Sequence, residues 1–115
     1  MKQNLLNKAN IFLLERGFTI KNLIRACFDI LARRNDQILL IKVLEDANSI
    51  SRQYTEDMLT VASYIDASPI IITEKAGNKL DDNIVYSRFG IYTLNFRTFL
   101  SCVNNKLPFI KRRRA

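Results

Sequence analysis

A chain of 115 residues has room for one domain built on one hydrophobic core. Apolar residues make up 48% of it, with only 2 prolines and 3 glycines, which excludes a disordered or fibrous chain. The net charge of +7 invites a nucleic-acid reading, but Lys111, Arg112, Arg113 and Arg114 supply four of those charges; the remaining 14 basic and 11 acidic residues leave a body of net +3.

The N-terminal stretch MKQNLLNKANIFLLERGF alternates polar and apolar residues, so it lacks the unbroken apolar centre of a signal peptide. No apolar run approaches the roughly 20 residues needed to cross a bilayer. A cytoplasmic protein with no membrane partner is the expectation. Two distant cysteines and no histidine make neither a zinc site nor a disulfide framework, and no cofactor is expected. Cys27 lies in an apolar run and reads as a small core residue.

Residues 3 to 16 place Leu5, Leu6, Ala9, Phe12 and Leu13 at helical spacing, with Gly17 as the stop. Residues 18 to 24 are mixed and suit an edge strand. Two strong strand candidates follow, Ala26 to Arg33 and Ile38 to Leu44, joined by Arg34-Asn35-Asp36-Gln37, whose Asn and Asp tolerate left-handed backbone angles. Ser49 or Ser51 can cap a second helix running to about residue 66, with Ile50, Tyr54, Met58, Val61, Ala62 and Ile65 on one face. Pro69 opens a short buried strand to Thr73. Residues 75 to 83 read as an exposed loop, Ile84 to Leu94 as a strand region broken by Gly90, and Phe96 to Val103 as a last helix with Phe96, Phe99 and Leu100 inward. The crossover helix before Pro69 implies a parallel strand in a mixed sheet covered by helices.

Asp29 and Lys42 each interrupt an otherwise apolar run, and a charge there is costly unless paired or functional. With Asn35 and Asp36 at the hairpin tip, opposed residues have numbers summing to 71, which sets Asp29 opposite Lys42. One reading is a cross-strand ion pair. The other is the remnant of a catalytic site, since strand carboxylates on a small α/β sheet hold metals in many nucleases.

The stretch RGF…FDILARRNDQILLIKV resembles the core of the PD-(D/E)XK nuclease superfamily, especially the archaeal Holliday junction resolvases. The resemblance implies a restriction-endonuclease-like α/β fold with a mixed sheet of four to five strands flanked by helices. It implies an aspartate, matched by Asp29, an acid-x-lysine on the next strand, and a glutamate from the first helix, matched loosely by Glu15. The acid-x-lysine does not survive. Thirteen residues after Asp29 comes Lys42, with Leu44 where the lysine belongs; shifting by two makes Lys42 the lysine and puts Leu40 in place of the acid. Magnesium is held through carboxylates and water, so one carboxylate beside an ammonium is a poor site. The expectation is a non-catalytic domain with no metal, in which Asp29, Lys42 and Glu15 are remnants. A DNA nuclease or junction resolvase with relaxed ligands is the alternative.

A second resemblance covers nearly the whole chain. RACFDILARRNDQILLIKVLEDANSIS, SYIDASPIIITE and VYSRFGIYTLNFRTF are similar to blocks of the N-terminal domain of archaeal helix-turn-helix transcriptional regulators. That likeness implies a regulatory or dimerisation domain, residues 1 to 110, whose DNA-reading helices would follow the basic stretch 111 to 115. It makes DNA the partner, reached through a segment beyond this chain, and a homodimer possible in principle through an exposed sheet edge. A chain that is one domain of a longer protein is expected, since a basic stretch suits a linker.

The remaining candidates are basic or aromatic. Arg25, Arg33 and Arg34 could join Lys42 in a groove that touches phosphates, and Lys111, Arg112, Arg113 and Arg114 could do the same from the tail; solvated strand ends and a solvated tail are the plain alternatives. Tyr86, Arg88, Phe89 and Tyr92 around Gly90 mix aromatic and basic side chains in a way that can stack bases or simply pack. The acidic group Glu45, Asp46, Glu56 and Asp57 reads as an exposed face.

Overall fold

The computed structural model describes residues 2–23 and 27–104, and the backbone of 113–114. Helix α1, Lys2–Glu15, forms because Leu5, Ala9, Phe12 and Leu13 recur on one face, and all four are buried. It ends in a Schellman turn: Gly17 takes φ +87°, its N–H donates to the Leu14 carbonyl, and the Phe18 N–H donates to the Leu13 carbonyl at 3.0 Å. Phe18 then drops into the core.

Strands β1 (Thr19–Asn22), β2 (Ile30–Arg34) and β3 (Gln37–Val43) form an antiparallel meander. Asn35, at φ +54°, supplies the left-handed residue of the β2–β3 turn. Ile30 opposes Ile41 and Arg34 opposes Gln37, so the register is the one whose numbers sum to 71. The first strand is shorter than the expected Ala26 to Arg33. It starts at Ile30, with a bend at Cys27 and Asp29, and Ala26 lies outside the described residues.

After β3 a short 3-10 turn, Ala47–Ser49, leads to helix α2, Arg52–Ile65. Ser51 is its N-cap, accepting the Tyr54 N–H at 3.1 Å, and Asp66 closes it in the left-handed region. Met58 and Ala62 are buried as expected, but Ile65, the last residue of the helix, is exposed. Strand β4, Ser68–Ile72, then pairs in parallel with β3. The segment expected as an exposed loop contains a small hairpin, β5 (Lys75–Ala76) and β6 (Asn78–Lys79), and buries Leu80. Strands β7 (Tyr86–Arg88) and β8 (Ile91–Leu94) turn at Phe89-Gly90; β8 pairs in parallel with β4, and α3, Phe96–Asn104, follows. A two-residue strand β9, Arg113–Arg114, runs parallel to β7.

The main sheet has the order β1-β2-β3-β4-β8-β7-β9, seven strands where four to five were expected. The excess comes from the edges: β1 was foreseen only as a candidate, Gly90 divides one expected strand into two, and β9 is a two-residue addition. Alternation along the strands divides the core. Leu39, Ile41, Val43, Ile70, Ile72 and Leu94 pack with α1 and α3, while Leu40, Ile71 and Ile91 pack with Met58 and Ala62 of α2. The helices therefore cover both faces of the sheet.

Candidate functional site

The bend at Cys27–Asp29 leaves Asp29 one residue before β2, just past the last paired position of the hairpin, Ile30 opposite Ile41. Its N–H donates to the Ile41 carbonyl at 2.8 Å. The Lys42 Nζ lies 3.8 Å from Asp29 Oδ1. The second carboxylate oxygen is also committed: Oδ2 accepts the backbone N–H of Val43 at 2.8 Å.

Lys2 completes the arrangement. Its Nζ lies 3.5 Å from Asp29 Oδ1, and its backbone N–H donates to Glu45 Oε1 at 3.4 Å. Nothing in the local sequence marks Lys2; only the packing of α1 across the sheet carries its first turn to the end of β3. The Lys42 Nζ also sits 5.1 Å from the centroid of the Tyr54 ring. Both members of the pair are mostly covered, with the Lys42 side chain 12% exposed and Asp29 16%. Burial alone would lower the Lys42 pKa, but the Tyr54 hydroxyl and the Asp29 carboxylate outweigh it and hold the ammonium above the ordinary lysine value.

This donor set does not fit a divalent cation. One carboxylate is present, with two ammonium groups on one oxygen and a peptide N–H on the other. The position two residues before Lys42 is Leu40, fully buried against α2. Glu15 cannot supply a second ligand. It is the last residue of α1 and Lys2 the first, so roughly 20 Å of helix separates Glu15 from the end that meets Asp29. Glu45 is exposed and turned to the Lys2 backbone. Among the described residues no group of three His, Cys, Asp or Glu side chains could hold a metal ion.

The basic candidates are dispersed. Arg33 and Arg34 lie at the β2–β3 turn, five residues of strand or roughly 17 Å from the Lys42 end, so they do not form one groove with it. Arg34 donates to the Arg16 carbonyl at 2.8 Å and its guanidinium lies 4.4 Å from the Phe18 ring centroid, while Arg33 donates to the Asn35 carbonyl at 3.3 Å. Arg25, Lys111 and Arg112 lie outside the described residues, and Arg113 and Arg114 are described only as backbone paired to Tyr86 and Ser87. Cys27 sits half-buried at the rim of the α2 core, not inside it, and burial raises its thiol pKa. Asp46, expected on a solvated face, is structural. Its Oδ1 accepts the N–H groups of Asn48 at 2.8 Å and Gly77 at 3.1 Å, and these bonds hold its carboxyl below the usual range.

The domain is thus an α/β sandwich, a mixed sheet covered on both faces, with one carboxylate and one lysine meeting beside β2 and β3. Residues 2–108 match the family described as a PD-(D/E)XK superfamily domain, and the chain belongs to that superfamily. It is also 35% identical over 112 residues to a protein of Methanococcus vannielii named "Putative HTH-type transcriptional regulatory protein", covering 96% of this chain and 34% of that one. Proteins of the same description from Picrophilus torridus (38% over 84 residues, 72% of this chain and 27% of that one) and Thermoplasma acidophilum (32% over 113 residues, 95% and 36%) are similar too. The chain thus spans about a third of the length of the curated relatives it matches. Among the described residues no helix is long and apolar enough to cross a membrane.

Proposed function

We propose that this domain is a non-catalytic regulatory and dimerisation module of a DNA-binding transcription regulator, acting in the cytoplasm. The observation that carries the reading is the state of Asp29. Its carboxylate is taken by Lys2, Lys42 and the Val43 N–H, and in either register of the resemblance the acid-x-lysine is incomplete, with Leu44 in place of the lysine or the buried Leu40 in place of the acid. In this reading two fixed ammonium groups take the place of the metal charge and turn a hydrolytic site into a structural tie between α1, β2 and β3. The names of the relatives support a role in transcription. Pairing of two copies is supported by β1, an outer strand with a mostly exposed pattern. Arg33 and Arg34 are turned to the domain's own backbone. Within this proposal DNA contact therefore falls more to Lys111, Arg112, Arg113 and Arg114, and to Arg25, than to the β2–β3 turn.

The test is incubation of the purified chain with supercoiled, linear and four-way-junction DNA in magnesium and, separately, manganese. No cleavage above a protein-free control is expected. Cleavage that disappears in Asp29→Ala would establish the rival, a nuclease with relaxed ligands.

A further inference from the structure

The turn that joins β7 to β8 is built against its own preferences. A two-residue hairpin turn with both residues in the left-handed region favours Asn-Gly or Gly-Gly. Here the pair is Phe89-Gly90, with φ +48° and +87°. A bulky residue at positive φ is a genuine outlier, and such strain persists where the surroundings enforce it and function uses it.

What the strained residue holds is charge. The Arg52 guanidinium, from the first turn of α2, lies 4.8 Å from the Phe89 ring centroid, and the Arg88 guanidinium lies 4.8 Å from the same centroid. One ring therefore fixes two cations within about 10 Å of each other, a spacing at which like charges repel. Among the described residues neither guanidinium makes an ion pair. Arg88 Nε is buried without a hydrogen-bond partner. Asp46, whose carboxyl feels the Arg88 charge, already accepts two backbone N–H groups. Beside Arg88 on the same sheet edge, β9 pairs the backbone of Arg113 and Arg114 with Tyr86 and Ser87.

We infer that the β7–β8 turn, with Arg52, Arg88 and Phe89, is a contact for the phosphodiester backbone of duplex nucleic acid. The guanidinium groups occupy the neighbourhood of the ring, so Phe89 acts as a platform that orients them and not as a surface for an unpaired base. Planar guanidinium forks suit phosphate oxygens, and phosphate contacts of this kind position a protein without reading sequence. The inference does not rest on loss of catalysis, because a nuclease and a regulator would both use such a contact.

The test is fluorescence anisotropy of the full 115-residue chain with labelled 20-base-pair duplex DNA across a salt series, with duplex RNA and single-stranded DNA as separate arms. Duplex DNA binding that weakens with salt is expected. Arg52→Gln with Arg88→Gln should weaken it about tenfold at low salt and reduce the salt slope by about two. Phe89→Asn, which gives the turn its preferred residue, should leave the melting temperature unchanged or higher while weakening binding. Equal affinity for duplex RNA would leave the backbone contact standing and make it indifferent to the sugar. Absence of duplex binding, preference for single strands, wild-type binding by both variants, or a Phe89→Asn protein that melts earlier and binds normally would each overturn the inference.

Discussion

Asp29 accepts one peptide N–H and faces two ammonium groups, and removing it should reveal what these contacts were worth. In Asp29→Ala the Val43 N–H loses its acceptor and two ammonium groups face each other across a mostly covered gap. A loss of about 2 kcal/mol in urea unfolding is expected. Asp29→Asn should lose less, since its amide oxygen can still accept from Val43. The pH dependence has a definite sign. Lys42 is raised in the folded state, so its contribution is complete below the ordinary lysine pKa, about 10.4, and disappears as pH climbs through the folded value. An alkaline loss of stability that is smaller in Lys42→Met checks this. The nearness of Asp29 to Lys42 was legible from the sequence because hairpin register is simple arithmetic once the turn is located; that Asp29 leaves the paired register and donates to Ile41 was not. Lys2 and Tyr54 were not, because each arrives from a helix whose placement depends on side-chain packing over the sheet.

At the scale of elements, the two covering layers differ in how they are fastened. α2 depends on its caps: Ser51→Ala removes the acceptor for the Tyr54 N–H and should cost about 1 kcal/mol, read as a lower melting temperature. The β5–β6 turn is pinned from outside through Asp46. Gly77 sits at φ +79°, and an added Cβ would stand 3.0 Å from Asn48 Nδ2. Gly77→Ala should therefore destabilise by about 1 kcal/mol or more, measured by the same unfolding experiment. Helix and strand periodicity located α1, α2, α3, β3 and β4. The β5–β6 hairpin was missed because it has only two residues on each side and is held by a carboxylate from another segment. Glu15 was misjudged for a related reason: helical spacing identifies the buried face of α1, but not which end of the helix meets Asp29.

For the whole molecule, the layered fold follows from one alternating pattern, which makes a sheet apolar on both faces and calls for helices on each, while the superfamily rests on the family match over residues 2–108. The function does not follow from that pattern, because alternation does not say which charged groups gather around Asp29. In this chain Leu40 belongs to the α2 core, and the Asp29 carboxylate is occupied by Lys2, Lys42 and the Val43 N–H. The most direct measurement is a manganese titration followed by electron paramagnetic resonance, on the wild-type chain and on Asp29→Ala. The account predicts no saturable manganese site that depends on Asp29, and identical titrations for the two proteins. A stoichiometric site present in the wild type and absent from Asp29→Ala would contradict it.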